Sequence, residues 1–549
     1  MTETPFETHE VTNQSPPLAG ANLYASDPVL ASAVKVAAGA GFDDGLLAHG
    51  AYWGSADAFE LGRLANVHAP MLRPFDAKGR RSDTVEFHPA WHALMSRSAV
   101  AGLHCSTREE GGAEAGHRNL LRAARFFMTA QAECGHLCPM TMTNAAAAAL
   151  AHGPQVAADW LPAIRRRAYD GTFRPAGEKA GVTLGMGMTE KQGGTDVRAN
   201  TTRAEPAGEG GAYRLTGHKW FLSAPMSDAF LVLAQAPGGL SCFLMPRFTP
   251  DGRVNDIRLM RLKDKLGNRS NASSEVEFQG ALAFRVGEEG RGIATILEMV
   301  TLTRLDCAVA SAGLMRIALA EAVNHTRHRT VFQKRLVDQP MMARVLADMA
   351  LDTAAATALA LRLAEAFDRA PRDESEAAFA RLMTPAVKYW VCKATPPLVY
   401  EAMECLGGNG YVEESTLPRL YREAPVNAIW EGSGNVMALD VLRALAKEKD
   451  ALDAVAHEVN RHLGGHGGPA MDVLKSAAEL AVADQGSARF FVEQLALTVA
   501  GAALARLGGG EIAEAFLNSR LGGRWRATYG MLDRRFDARR IVDQVCPQA

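Results

Sequence analysis

One carboxylate in this 549-residue chain stands where a charge has little reason to be. In "APVNAIWEGSGNVM", residues 424–437, Glu431 sits between Trp430 and Gly432, and its flanks are apolar or small. Arg419, Arg422 and Glu423 end upstream of it, so it is not one charge of a solvated run. A carboxyl group in an apolar cage resists ionisation, because desolvation penalises the charged form and lifts its pKa toward neutrality. A group tuned in this way can take a proton near neutral pH. The bland alternative is a structural glutamate at a helix start.

A second stretch, "MGMTEKQGGTDV" at 186–197, places Thr189, Gly193, Gly194 and Thr195 in one loop. Small and hydroxyl residues of this kind expose backbone N–H groups that can wrap a polar ring edge or a phosphate. The loop matches neither a Walker loop nor a GxGxxG fingerprint, so a plain glycine-rich strand connection is the competing reading. "CGHLC" (Cys134, His136, Cys138) lacks the paired two-residue spacing of a metal site, and no second ligand pair follows. His88 and His92 in "FHPAWHALM" fare no better. No metal is expected.

These residues need a large scaffold. A chain of 549 residues exceeds one core and implies several domains. Its apolar (48%) and charged (22%) fractions are those of a globular enzyme. A formal net charge of −2 gives no global drive toward a polyanion. The start, "MTETPFETHE", has neither the basic region nor the apolar run of a targeting segment, and no apolar stretch reads as long enough to cross a bilayer. Eight scattered cysteines suit a reducing compartment. Together these predict a cytoplasmic protein without membrane partners.

The texture divides the chain into four parts. Residues 1–181 read as helical, with Ser26 or Asp27 as N-cap ahead of Pro28. From 182 to 292, "AYRLTGHKWFLS", "AFLVLAQAP", "LSCFLMPRF" and "NASSEVEFQGALAFRVG" are strand-like runs separated by "GEGG", "PGG" and "TPDG". No helical pattern intervenes, so an antiparallel barrel or sandwich is expected. Residues 293–445 are helical again. Ala310, Gly313, Leu314 and Ile317 share one face of a long helix, and short loops favour a bundle. Residues 446–549 form a further helical block.

The motifs fall in a telling order on this layout: "MGMTEKQGG", "GHKWFLS" (217–223), "RTVFQKRLVDQP" (329–340), "ECLGGNGYVEES" (404–415) and "IWEGSGNVM" (429–437). Over residues 50–445 the chain resembles the acyl-CoA dehydrogenase superfamily. The loop wording, "RLKDKLGNRSNAS" (261–273), "WEGSGN" and the extra C-terminal block resemble its adaptive-response, AidB-like branch, which is linked to alkylation damage. The resemblance implies an α+β multidomain fold. It would hold a helical N-domain, a central antiparallel β domain, a four-helix FAD bundle and a C-terminal helical domain.

It also implies residue roles. Met186, Gly187, Met188, Thr189, Gly194 and Thr195 match the loop that holds the isoalloxazine edge. Phe221, Leu222 and Ser223 match the segment that packs an aromatic and a hydroxyl against the ring. Arg329, Phe332 and Gln339 match residues that reach the FAD of a neighbouring subunit, and Gly407 and Gly408 match a turn beside that cofactor. Ile429, Trp430, Gly434 and Asn435 match residues flanking the flavin. Gln333 and Arg335 depart from the glycine and proline common there, and Glu404 stands where glutamine is common. A homotetramer is implied.

Glu431 matches the family's catalytic glutamate. Removing hydrogen from Cα and Cβ of an acyl-CoA thioester needs a base for the α-proton and an acceptor, flavin N5, for the β-hydride. Some members carry that base directly before an arginine; here Thr303 precedes Arg304, so no rival appears. The function implied is slow acyl-CoA dehydrogenation with a DNA-associated role in alkylation damage. The alternative is a catabolic acyl-CoA dehydrogenase without DNA binding. A structural oligomer with a vestigial flavin ranks third.

The branch is thought to contact duplex DNA through its last domain. Residues 444–549 carry 13 Lys or Arg against 13 Asp or Glu, so that block is neutral. Its end is not: seven arginines (Arg520, Arg524, Arg526, Arg534, Arg535, Arg539, Arg540) face three aspartates, a net of 7 − 3 = +4. Arginine forks suit phosphate oxygens, so weak, sequence-independent duplex binding is one expectation. A subunit-contacting face is the other. No base-reading motif is evident.

Overall fold

The computed structural model describes residues 8–208, 210–448, 450–508, 510–522 and 535–547. Seven helices lead: α1 Pro28–Ala38, α2 Asp43–Trp53, α3 Ala56–Val67, α4 Pro89–Val100, α5 Arg118–Ala132, α6 Leu137–Leu150 and α7 Pro154–Ile164. Asp27 is the N-cap of α1. Its carboxylate accepts from the Val29 and Leu30 N–H groups, and Pro28 fills the first helical position. A hairpin of β1 (Met71–Phe75) and β2 (Arg81–Glu86) interrupts these helices. Sequence texture did not reveal it, because burial alternates along both strands but polarity does not follow it: the buried face of β2 carries Asp83 as well as Val85.

The β domain holds β3 (Leu184–Gly187), β4 (Arg203–Pro206), β5 (Ala212–Ser223), β6 (Ala229–Ala236), β7 (Gly239–Pro246), β8 (Ile257–Leu262) and β9 (Ser273–Val286). Pairings β6–β4–β5–β9–β7–β6 close a ring, and β8 pairs with β9. The expected all-antiparallel sheet needs correction. β3 and β4 both run parallel to β6, with Leu184 opposite Ala229 and Arg203 opposite Gln235. The chain reaches β6 only after the β4–β5 excursion, so β3 can lie alongside it in the same direction without a helical crossover.

Three long helices follow: α8 (Gly292–His328), α9 (Pro340–Arg369) and α10 (Glu374–Leu406). With α11 (Thr416–Glu423) and α12 (Gly434–Lys447) they build the bundle. At 37 residues and 1.5 Å per residue, α8 extends for about 55 Å. Between α8 and α9 projects a two-residue-per-strand hairpin, β10 (Thr330–Val331) and β11 (Lys334–Arg335). The last block is α13 (Ala451–Leu463), α14 (Gly467–Ala483), α15 (Ala488–Arg506), α16 (Gly510–Arg520) and α17 (Ala538–Val545).

One core runs from the leading helices through the bundle into the last block. Two smaller ones fill the junction of α6 with the sheet and the inside of the ring. The segment Gln485–Arg506 is apolar and long enough to cross a membrane by length and composition, contrary to the sequence expectation. It is mostly buried and packs as a core helix against α9, α10, α13, α14 and α16.

Ion pairs fasten the layers. Arg122 and Asp306 form a bidentate pair at 2.6 and 2.7 Å, and Thr141 donates to the same aspartate, tying α5, α6 and α8 together. Arg362 pairs with Glu376 and Glu458 across α9, α10 and α13. Such pairs hold only while both partners are present, since a lone buried charge has no solvent to fall back on.

Candidate functional site

The turn that carries Glu431 has an uncommon backbone. Glu431 has φ 58° and Gly432 φ 106°. A non-glycine residue in the left-handed region costs roughly 1–3 kcal/mol unless its surroundings impose it. They do here: Arg304 Nε donates to the Glu431 carbonyl at 3.0 Å, and Lys388 Nζ donates to the Gly432 carbonyl at 2.7 Å. The φ of 106° at Gly432 is a backbone conformation that favours glycine. Arg304 is itself paired with Asp440 at 2.6 Å, and Arg381 shares that aspartate.

The Glu431 carboxyl projects from this pinned turn, and Thr303 Oγ1 donates to its Oε2 at 2.6 Å. Burial pushes the carboxyl above the usual carboxylate range, while the Thr303 bond and the Arg304 and Lys388 charges oppose the rise. The Trp430 indole N–H is engaged by Asn427 Oδ1 at 3.0 Å.

The opposite wall comes from the β domain. Strand alternation puts Phe221 and Ser223 on one face of β5 and buries Leu222 in the ring core. Phe221 is 46% exposed, a large bare ring at the rim. Ser223 Oγ lies 3.2 Å from Ser273 Oγ, to which Lys265 Nζ donates at 3.0 Å. Burial brings the Lys265 amine down to about 8. Cys138 joins the two walls. Burial pushes its thiol up to about 12, against the opposing influence of Lys265, Asn271 and Ser223, and Glu431 adds to the rise. Sequence reading assigned no role to Lys265, Lys388 or Thr303.

The loop from Met186 to Thr195 is anchored by its own buried ion pair. Glu190 and Lys219 meet at 2.8 Å, and neither side chain is exposed. Glu190 also accepts from the Thr201 and Thr202 N–H groups and from Gln192. Burial pushes Glu190 up, but the Lys219 charge and these donors outweigh it and hold the carboxyl well below its usual range. Trp220 N–H donates to the Thr189 carbonyl at 2.8 Å, so the loop lies beside Phe221. Met188 offers its carbonyl to Asn200 at 3.0 Å, and Gly194 packs on the Thr189 side chain. Met186, Gly187 and Met188 belong to or follow β3, while Thr195 is exposed.

The remaining expected contacts are elsewhere on the surface. Arg329 Nη1 donates to the Asn13 carbonyl at 2.7 Å, and Gln339 to the Val331 carbonyl at 3.2 Å. Phe332 is 91% exposed at the β10–β11 tip. Phe332 and Gln333 both have positive φ, at 50° and 62°, the strain that a glycine after the phenylalanine would relieve. Gly407 and Gly408 are exposed with open space where a Cβ would stand, and Ile429 is 66% exposed. Gly434 opens α12 against Lys393 and Arg489, and Asn435 is exposed beside it.

Bare Phe221, the loop amides and the Ser223 hydroxyl suit a planar ring with a polar edge. The residues present therefore fit an isoalloxazine ring. Among the described residues no cluster of metal ligands occurs. His136 instead bridges Glu133 at 2.6 Å and Ser98 at 2.8 Å in the core, and Glu133 receives Ser270 and Asn66. His88 stacks on His68, and His92 bonds the Tyr169 hydroxyl.

The arginine-rich end is changed most. Arg520 is no surface cation: it bonds Asp348 at 2.8 Å and Asp352 at 2.9 Å, and its guanidinium locks α16 onto α9. The sequence showed its charge but not those partners, which lie some 170 residues away. Arg539 pairs with Asp338 and Asp543, Arg540 with Glu511, and Arg535 lies over the Phe536 ring. Arg524, Arg526 and Arg534 lie outside the described residues.

Comparison with known proteins agrees with this architecture. Residues 13–171 match the adaptive response protein AidB N-terminal domain, 185–281 the acyl-CoA dehydrogenase middle domain and 290–446 its C-terminal domain. The chain is 54% identical to AidB of Escherichia coli, a protein named for acyl-CoA dehydrogenase, over 82% of this chain and 83% of that one. It is 34% identical to acyl-CoA dehydrogenase family member 11 of Caenorhabditis elegans, over 75% and 68% respectively. The crystal structure of C. elegans ACDH-11 in complex with C11-CoA superposes with a TM-score of 0.84 at 28% identity, covering 100% of this chain and 94% of that one. The chain belongs to the AidB-like branch of the acyl-CoA dehydrogenase family, a family of FAD-dependent oxidoreductases.

Proposed function

We propose that this protein binds FAD between the Phe221–Ser223 rim and the Glu431 turn and slowly dehydrogenates an acyl-CoA thioester at Cα–Cβ. Bound FAD supplies the acceptor for the β-hydride. Glu431 takes the α-proton, and the observation that carries this is its carboxyl, raised by burial on a turn pinned by two cations. Arg304 and Lys388 fix where the base stands. The Lys265–Ser273–Ser223 chain orients a hydroxyl toward the ring edge. The test is anaerobic titration of the flavin-loaded protein with acyl-CoAs of increasing length, beginning near the C11 chain bound by the C. elegans relative. Flavin bleaching with at least one thioester is expected, and none across the panel sinks the reading.

The cofactor site is proposed to be shared in a homotetramer. The strained, bare Phe332 tip, Tyr411 at 81% exposure and the open Gly407–Gly408 turn are left uncovered by the described residues. Arg329→Ala is expected to lower FAD content and shift the protein toward smaller assemblies together. A variant with full flavin as a monomer would contradict the shared site. Eight free thiols suit a cytoplasmic setting.

A DNA-associated role in alkylation damage is the second part of the proposal. It now rests on Arg524, Arg526 and Arg534 together with the partly exposed Arg535, Arg539 and Arg540. Affinity for random duplex DNA should fall with salt along a negative log–log slope that shrinks when Arg524, Arg526 and Arg534 become alanine. A flat slope, or one the variant leaves unchanged, selects the catabolic enzyme without DNA binding.

A further inference from the structure

Glu431 has one hydroxyl partner, and its geometry serves both protonation states of the carboxyl. Thr303 is buried in α8, with Oγ1 2.6 Å from Glu431 Oε2 and 2.9 Å from the Val300 carbonyl oxygen. A hydroxyl donates one proton and accepts on its lone pairs. When Glu431 is ionised, the Thr303 proton belongs on Oε2, the stronger acceptor. When Glu431 is protonated, its own O–H donates to Thr303 Oγ1, and the Thr303 O–H turns to Val300. Oε2 and the Thr303 hydroxyl are therefore paired in either state, and the proton count of the pair changes only at Glu431.

The two cations cannot do this. Arg304 and Lys388 donate to main-chain carbonyls and so hold the turn, not the carboxyl. Among the described residues, Thr303 is the one hydrogen-bond partner of the carboxyl oxygens. We propose that Thr303 is a positioning residue that keeps Glu431 Oε2 in place through proton uptake and favours its ionised form. The proposal rests on Glu431 being the base.

The charged and titratable groups around Glu431 are accounted for. Arg304 on α8 and Lys388 on α10 remain when the hydroxyl is removed. Asp440 on α12 is taken up by Arg304 and Arg381. The thiols of Cys138 on α6 and Cys307 on α8 feel Glu431 but are pushed up by burial, so they stay neutral. Removing the Thr303 hydroxyl therefore isolates one hydrogen bond.

The experiment is an infrared pH titration of the full-length protein, with the Glu431 band identified by its absence in Glu431→Gln. Thr303→Val should raise the Glu431 midpoint by about one to two pH units, the size of a hydrogen bond to a charged group. Thr303→Ser should stay within about 0.3 unit of the unchanged protein, since it keeps the hydroxyl. If acyl-CoA bleaches the flavin, the pH profile of bleaching should move by the same amount. An unmoved midpoint in Thr303→Val overturns the proposal. So does an equal shift in Thr303→Ser, which keeps the hydroxyl and would show that the shift does not come from its loss. Thr303→Ala replaces the valine variant should that one not fold. The infrared reading needs no turnover, so a shifted band in a protein whose flavin no acyl-CoA bleaches rejects the dehydrogenase reading alone.

Discussion

Glu431→Gln will retain its flavin and lose reduction by acyl-CoA. The change is nearly isosteric and leaves the backbone carbonyls of residues 431 and 432 on Arg304 and Lys388, so the turn should persist. What disappears is the proton acceptor. General-base catalysis contributes about 10²–10⁴-fold, and the bleaching rate should fall by at least that much. The unchanged protein should show the matching pH dependence. Burial holds the Glu431 carboxyl above its ordinary range, so bleaching should rise with pH as the base ionises and then level off. Stopped-flow bleaching beside a flavin assay decides the matter. Bleaching at the original rate in the glutamine variant would assign the base elsewhere.

Lys219→Met should destabilise the protein by about 3–5 kcal/mol, the usual consequence of leaving one member of a buried ion pair alone. The pair ties the loop after β3 to β5, and Lys219 also donates to the Leu233 carbonyl on β6 at 2.8 Å. FAD content should fall with stability, because that loop forms one wall of the proposed ring site. Glu190→Gln combined with Lys219→Met should recover part of the loss, since no buried charge then remains. The pH dependence follows in sign. In the unchanged protein Glu190 is held below its ordinary value of 4.5, so its stabilising contribution is present above that pH and is lost as pH falls. In Lys219→Met the carboxylate is unpaired, and its deficit should shrink as acid neutralises it. Chemical denaturation at several pH values measures both. A loss below about 1 kcal/mol would mean that the site collapses or hydrates without strain.

The domain layering was legible because it depends on local periodicity. Strand-like runs between turn signals marked β5, β6, β7 and β9, helical spacing marked the long helices from α8 on, and Pro28 after Ser26–Asp27 marked the start of α1. The β1–β2 hairpin escaped because polarity does not track burial along it, Asp83 facing inward beside Val85, and the parallel edge of β6 escaped because strand direction depends on which distant segment fills that edge. Apolar composition likewise could not tell a membrane-length segment from the core helix α15.

The same division runs through the site. Sequence alone determined that an isolated carboxylate stands at 431 and that hydroxyl and glycine residues line a loop at 186–195, because residue type and near neighbours decide both. Only the tertiary structure decided what surrounds them. Thr303 lies 128 residues from Glu431 and Glu190 lies 29 from Lys219, while Arg520 finds Asp348 at a separation of 172. A charge in a sequence is compatible with solvent, a partner or a ligand. The choice among them is made by desolvation and by the donors that packing brings within 3 Å, and neither exists until distant segments meet.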